Sequence, residues 1–222
     1  MQPHFMPWMG YFHLIKHSDI FILLDDAQFE KQSWQNRNRL MINRAEMWLT
    51  VPVIKHPLDK KINETHIDLS RNWHRKTLAT LENTFSKSSY FFQILPILDI
   101  LAKEDPSLLN LNVRIIKKIL DFFGLETKVY LASEFETDAK RTQKLIQLLD
   151  AVSASKYLSP IGSKEYLEED KFSAHTSCIL EFQNFNNQKY ENISSKLSLN
   201  NLSIVHYLAN YSYDEIMNEL LI

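Results

Sequence analysis

The stretch QPHFMPWMGYFHLIKHSDIFILLDD, residues 2–26, decides how this chain is read. Its last part, SDIFILL at residues 18–24, is a short unbroken apolar run closed by Asp25 and Asp26. That is the pattern of a strand covered on both faces in a parallel sheet. Residues 8–17 before it read as a short helix. Further on, residues 127–131 (TKVYL) read as a strand, 140–149 as a helix, 157–160 as a strand end, 164–169 as a helix and 178–182 as a strand. This βαβ rhythm argues for an α/β sheet.

Between these regions the texture changes. Residues 30–44 are polar and basic and read as a loop, and residues 47–54 (MWLTVPVI) resume a strand before a turn at Pro57 and Asp59. Over residues 72–124 the apolar positions fall three or four apart: Leu78, Leu81, Phe85; Phe91, Ile94, Leu98, Leu101; Leu109, Val113, Ile116, Leu120. Pro96 and Pro106 divide this into three helices, the last stopped by Gly124 as a C-cap. Residues 199–222 read as one or two short helices. The expectation is one α/β domain over residues 1–222: a mostly parallel Rossmann-like sheet, a helical insertion at about 72–124 and a short helical C-terminus.

Composition narrows the function. The 222 residues carry 25 Lys plus Arg against 27 Asp plus Glu, a net charge of −2, which argues against a dedicated nucleic-acid binder. The three glycines, Gly10, Gly124 and Gly162, are too isolated to build G-x-G-x-x-G or a P-loop. Cys178 is the only cysteine, so no internal disulfide or Cys-rich zinc site is expected. No run approaches the ~18–20 apolar residues of a membrane span, and MQPHFMPWMG does not read as a signal peptide. A cytoplasmic location is expected.

Chemistry-bearing residues concentrate in the first fifty positions. Asp25 ends an apolar strand, where a carboxylate in an open α/β sheet meets a ligand as base or metal ligand; the other reading is a bridge to Arg37. Arg37 and Arg39 around Asn38 suit a fork for phosphate or carboxylate, with Trp34 and Asn36 beside them. Trp8 and Tyr11 read either as a stacking platform for a sugar or base or as the packing of a helix start. His4, next to Pro3, is an acid/base or donor candidate. His13 and His17 have a metal spacing but read as a helix surface. Ser159 and Lys164 near Gly162 read as phosphate contacts or as a turn, and Cys178 as a buried strand residue.

These residues resemble the WbqC-like family of bacteria, whose pattern runs approximately QPxYxPWxGYFxLI, then SDxFVxxDxVQYxKxxWxNRNxI, then WLTVPV. Gln2, Pro3, Pro7, Trp8, Gly10, Tyr11, Ser18, Asp19, Asp25, Gln28, Lys31, Trp34, Asn36, Arg37 and Asn38 fall on it, as do residues 48–53. Residues 157–167 and 202–204 resemble later family motifs, with Pro160 where glycine is usual and His206 where aspartate is usual. The resemblance implies surface-polysaccharide or O-antigen loci. The opening is also similar, more weakly, to H-x-G-H nucleotidylyltransferases and pantothenate synthetase. Trp8-Met9-Gly10-Tyr11 stands where H-x-G-H would, with both histidines replaced. In that class a strand precedes the motif, whereas here Met1 alone precedes Gln2.

The expected function is acyl or aminoacyl transfer, forming an amide on a nucleotide-linked amino sugar. Asp25 and His4 are the catalytic candidates; Gln2, Trp8, Tyr11, Gln28, Trp34, Asn36, Arg37, Asn38 and Arg39 are the binding candidates. The alternatives are a non-catalytic sugar-nucleotide binding or assembly protein, and a metal-dependent hydrolase around Asp25, Asp26 and His4. The cofactor is open, with ATP or an acyl donor considered and no metal expected. Partners are a small-molecule nucleotide sugar or acyl donor, without nucleic acid or membrane span; homo-oligomerisation is open.

Overall fold

Strand β1 (Ile20–Leu23) pairs in parallel with β4 (Lys128–Leu131), Phe21 opposite Val129 and Leu23 opposite Leu131. It follows α1 (Met9–Lys16), as the apolar run after the helical segment predicts. A computed structural model describes residues 1–43, 45–57, 59–185 and 201–221. Between β1 and β4 lie an antiparallel hairpin, β2 (Arg37–Ile42) with β3 (Ala45–Thr50), and then three helices, α2 (Trp73–Phe85), α3 (Leu95–Leu101) and α4 (Leu108–Phe123).

Helices α2, α3 and α4 match the periodicity of residues 72–124. Pro96 sits in the first turn of α3, where its missing N–H costs nothing. Ser107 caps α4 by accepting from the Asn110 N–H, and Gly124 ends that helix at φ 61°, a left-handed conformation that glycine adopts without strain. After β4 come α5 (Arg141–Ala151), β5 (Lys156–Ser159), α6 (Lys164–Glu169) and β6 (Ile179–Phe182), with β5 parallel to β6. The chain closes with α7 (Ile204–Asn210) and α8 (Tyr213–Leu221), where one or two short helices were expected; residues 199 and 200 of that segment, and Ile222, lie outside the described residues.

One expectation is corrected. Residues 30–44 are not all loop: six of them form β2. The strand alternates as any strand does, but the inward positions are Asn38 and Leu40, so a polar side chain occupies a site where an apolar one signals a strand. The hairpin is antiparallel, and the six strands among the described residues pair as three two-stranded ladders, two parallel and one antiparallel, with isolated bridges such as Trp8 to Ser203 beside them. No described helix is long and apolar enough to cross a membrane.

Two hydrophobic cores result. The larger joins α1, β1, α3, α4, α7 and α8 through residues such as Phe12, Leu23, Ile97, Ile116, Leu208 and Ile216. A smaller one, Ile146, Leu167 and Phe172 with Leu149, Tyr157 and Leu180 against it, joins α5, β5, α6 and β6. The seam between them carries the features described next.

Candidate functional site

A cleft of about 930 Å³ opens at the carboxyl ends of β1 and β4. In a parallel α/β arrangement this is where ligands settle, because strand-to-helix loops and free helix amino ends converge there. One wall is the segment after β1, with Leu24, Asp26 and Gln28; the other is the loop into α5, with Thr137, Lys140 and Arg141, and then Lys144. Lys61 and Asp59 close one side and Tyr166 another. Lys140, the N-cap of α5, places no side chain on the helix amino end.

The two adjacent aspartates have different environments. Asp25 is wholly buried, and its carboxylate accepts from the Ser133 N–H (3.0 Å), the Ser133 hydroxyl (2.7 Å) and the Asn63 amide (3.1 Å). Its carbonyl accepts from the Asn63 N–H, which ties the 62–64 turn to the end of β1. Asp25 therefore sutures three segments together. Asp26 faces the cleft and is ion-paired with Lys144 through Oδ2, while Oδ1, buried, has no hydrogen-bond partner.

The other candidates from the first fifty residues gather elsewhere, around the irregular segment 2–8. This segment runs through the core with Met6 at φ 45°, so its backbone groups need partners from outside. Asn38 Nδ2 donates to the carbonyls of Phe5 (3.1 Å) and Met6 (2.7 Å). The Tyr11 hydroxyl donates to the Gln2 carbonyl at 3.0 Å, and Gln35 donates to the Gln2 side chain at 3.0 Å. The Trp34 carbonyl accepts from the Phe5 N–H at 2.9 Å, and Asn36 Nδ2 donates to the Val51 carbonyl at 2.9 Å. The amide-rich motif is thus a set of clamps on backbone that no ladder satisfies.

The aromatic candidates pack. Tyr11 is fully buried against His4, Phe12 and Phe21, which holds its hydroxyl protonated well above its ordinary range. The Trp8 indole covers Gly10, where an added Cβ would lie 2.1 Å from the ring, and meets Phe185 edge-on. Gly10 is required by this contact. His4 lies on Tyr11 with ring centroids 5.4 Å apart; burial, and secondarily the amino-terminal charge, push its pKa down to about 3.

Arg37 and Arg39 share one face of the hairpin. Arg39 bonds Glu46 through both carboxylate oxygens, at 3.0 and 3.3 Å, and Arg37 lies 4.1 Å over the Trp48 ring. Trp34 and Trp48 complete this cluster, with centroids 5.5 Å apart. Gln28 alone among the predicted binding residues lines the cleft.

His13 does not lie on a helix surface: it is buried, stacked on His17 at 4.1 Å and bonded to Gln183 at 3.0 Å. Burial, then the neighbouring His17, lowers its pKa to about 4. Ser159 pairs with Ser163, and Lys164 lies 3.8 Å from Glu168. Cys178 is buried one residue ahead of β6. No group of three or more His, Cys, Asp and Glu converges as a metal site among the described residues.

Sequence reasoning missed Lys61, Lys140, Arg141 and Lys144. A signal was present: the βαβ order places the charged run TDAKR, residues 137–141, at the strand ends that also carry Asp25 and Asp26. Asn112, whose amide donates to the carbonyls of Pro3 and Gln35, was also missed, because a lone asparagine in an apolar helix has no visible partner in sequence.

Comparison with known proteins agrees with the motif reading. The model of the WbqC-like protein family matches residues 2–218. The uncharacterized protein Rv1507c of Mycobacterium tuberculosis (strain ATCC 25618 / H37Rv) is 33% identical over 175 residues, covering 78% of this chain and 75% of that protein. No solved structure matches. The amide clamps, the Trp8–Gly10 contact and the aspartates after β1 are carried by this matched span, and the chain belongs to the WbqC-like protein family.

Proposed function

We propose that the cleft at the ends of β1 and β4 binds the phosphate-bearing part of a nucleotide-linked amino sugar, and that the protein transfers an acyl or aminoacyl group to the sugar amine in surface-polysaccharide biosynthesis. One observation carries this: Lys61, Lys140, Arg141 and Lys144 line one cleft with the amino end of α5, against the carboxylates of Asp26, Asp59 and Asp138, with Lys144 paired to Asp26 and Arg141 to Asp170. Cations and helix N–H groups are what a diphosphate requires. Binding at the carboxyl ends of parallel strands is a Rossmann-like mode. The pathway rests on the family resemblance.

In this reading Asp26, through the Oδ2 that pairs with Lys144, accepts the proton lost by the amine as nitrogen attacks the acyl carbonyl. The Lys144 ammonium beside it stabilises the oxyanion of the tetrahedral intermediate, and the carrier of the acyl group departs. Asp25 holds the loop in place through Ser133 and Asn63. The second reading, binding without transfer, is favoured by the engagement of both carboxylates already present: Asp25 is fully hydrogen-bonded and Asp26 is paired.

The test is calorimetric binding of UDP- and dTDP-linked amino sugars, followed by mass spectrometry after adding an acyl-CoA or an ATP-activated acid. Lys140→Ala and Arg141→Ala should weaken binding, and Asp26→Asn should abolish product while sparing binding. Binding without product under every donor supports the second reading. Loss of binding in Arg37→Ala but not in Lys140→Ala would move the ligand to the hairpin face and overturn the cleft assignment.

A further inference from the structure

On the hairpin, Arg39 lies opposite Trp48, Met41 opposite Glu46 and Arg37 opposite Thr50. Alternate residues of a strand share a face, so Arg37, Arg39, Glu46, Trp48 and Thr50 stand on one side of the ribbon, while Asn38 and Leu40 are buried on the other. Trp34, shortly before β2, joins the outer face: its ring lies 5.5 Å from that of Trp48, tilted by 43°. Trp48 is 41% exposed and Trp34 half-buried, and neither belongs to the two hydrophobic cores. Folding gains less from these two indoles than it would from burying them, because the gain follows the apolar area taken from water.

The two arginines of this face differ. Arg39 donates to both carboxylate oxygens of Glu46, at 3.0 and 3.3 Å, and that pair cancels in charge. Arg37 lies 4.1 Å over the Trp48 ring, its buried Nε has no acceptor, and no carboxylate among the described residues lies within ion-pairing distance of it. Stacking engages the face of a guanidinium and leaves its edge N–H groups to donate. The face therefore carries one uncompensated positive charge, on a group whose fork matches a planar two-oxygen acceptor, beside two part-exposed indoles. Thr50, opposite Arg37 and exposed, adds a hydroxyl at the rim.

We propose that this face is a second binding site, apart from the cleft, for a pyranose that carries a carboxylate. The carboxylate accepts from Arg37, and the C–H face of the sugar ring lies on the exposed indole surface of Trp48 and Trp34. A single free guanidinium matches a single negative charge, whereas a phosphate dianion would bring a second charge against Glu46. A pyranose offers an apolar C–H face edged with hydroxyls, and an indole pair rimmed by Thr50 can hold both parts. The Arg39–Glu46 pair stays in place and fixes the residue opposite Trp48. This inference does not rest on the proposed function, since none of Trp34, Arg37, Arg39 and Trp48 lines the cleft.

The test titrates the 222-residue chain with the trisaccharide of galacturonic acid, with the neutral trisaccharide of galactose and with acetate, read by calorimetry and by the indole N–H signals of Trp34 and Trp48 in NMR spectra. The acidic trisaccharide should shift both indole signals and bind about tenfold or more tighter than the neutral one. Arg37→Gln and Arg37→Lys should each weaken it by about tenfold or more, the lysine because it keeps the charge and loses the fork. Trp48→Leu should weaken it more than Trp48→Phe does, and Lys140→Ala should leave it unchanged. Thermal unfolding of each variant establishes that it is folded before it is titrated. The proposal is overturned if the acidic trisaccharide does not bind, if the neutral trisaccharide or acetate binds as tightly, or if binding is lost in Lys140→Ala and kept in Arg37→Gln, which would place the carboxylate in the cleft. Because Lys140→Ala reads the cleft and Arg37→Gln the hairpin, each of the two readings can fail alone.

Discussion

Lys144 and Asp26 form an ion pair across the seam between the two cores, one on α5 of the smaller core and the other just after β1 of the larger. Their side chains are only 16% and 14% exposed, so water can replace little of what either would lose. Lys144→Met should destabilise the protein by about 1–3 kcal/mol, because a mostly buried carboxylate loses its counter-charge. Asp26→Asn in that background should recover part of the loss. A urea-unfolding double-mutant cycle with no coupling between the two positions would contradict the pair's role in joining the cores.

Asn38 should behave as a structural clamp. Asn38→Ala strands the carbonyls of Phe5 and Met6, and a cost of about 2 kcal/mol is expected for buried acceptors without donors. Asn38→Asp should be no better, since a carboxylate cannot donate to them. Ligand affinity measured on folded Asn38→Ala should stay near that of the parent chain, because Asn38 does not line the cleft.

Gly10→Ala should cost about 1–3 kcal/mol, because its methyl would overlap the Trp8 indole. The smaller, ringless side chain of Trp8→Leu should relieve most of this clash, so the double variant is expected to fall less than the sum of the two singles. Thermal unfolding of all four proteins checks it; strict additivity would mean that the indole is not what excludes the methyl.

Three histidines shielded from water, His13 buried and His4 and His206 half-buried, make stability depend on pH. Burial lowers the pKa of His4 to about 3, of His13 to about 4 and of His206 to about 4. Below the unfolded value of ~6.5 the unfolded chain binds protons that the folded chain refuses, so stability rises with pH in that window and is lost as pH falls from about 6.5 toward 4. Each such group adds a slope of up to about 1.4 kcal/mol per pH unit. Urea unfolding between pH 7 and 4.5 should show this slope, and His206→Phe should reduce it by up to that amount; an unchanged slope would mean that His206 is protonated in the folded protein.

Much of the architecture was legible before any coordinates, because it depends on local signals. The apolar run after α1, the three-or-four spacing through α2 to α4, Gly124 at the end of α4 and the alternation after residue 127 each report a preference of a few neighbouring residues. β2 escaped that reading because Asn38 takes an inward strand position to satisfy a segment thirty residues earlier, a demand invisible from its neighbours.

The same reason divides the site. Sequence alone determined that this is an α/β chain with carboxylates at the end of its first strand and a dense motif of amides and aromatics before residue 40. Only the tertiary structure decided the contacts: the amides bond the backbone of an irregular segment, Tyr11 and Trp8 lie against neighbouring residues, and Asp25 accepts from Ser133 and Asn63, while Asp26 meets cations that lie more than a hundred residues away. Partners in a folded protein are set by strand order and by which edges remain open, and neither distance nor burial between residues 26 and 144 is written in the spacing of side chains along the chain.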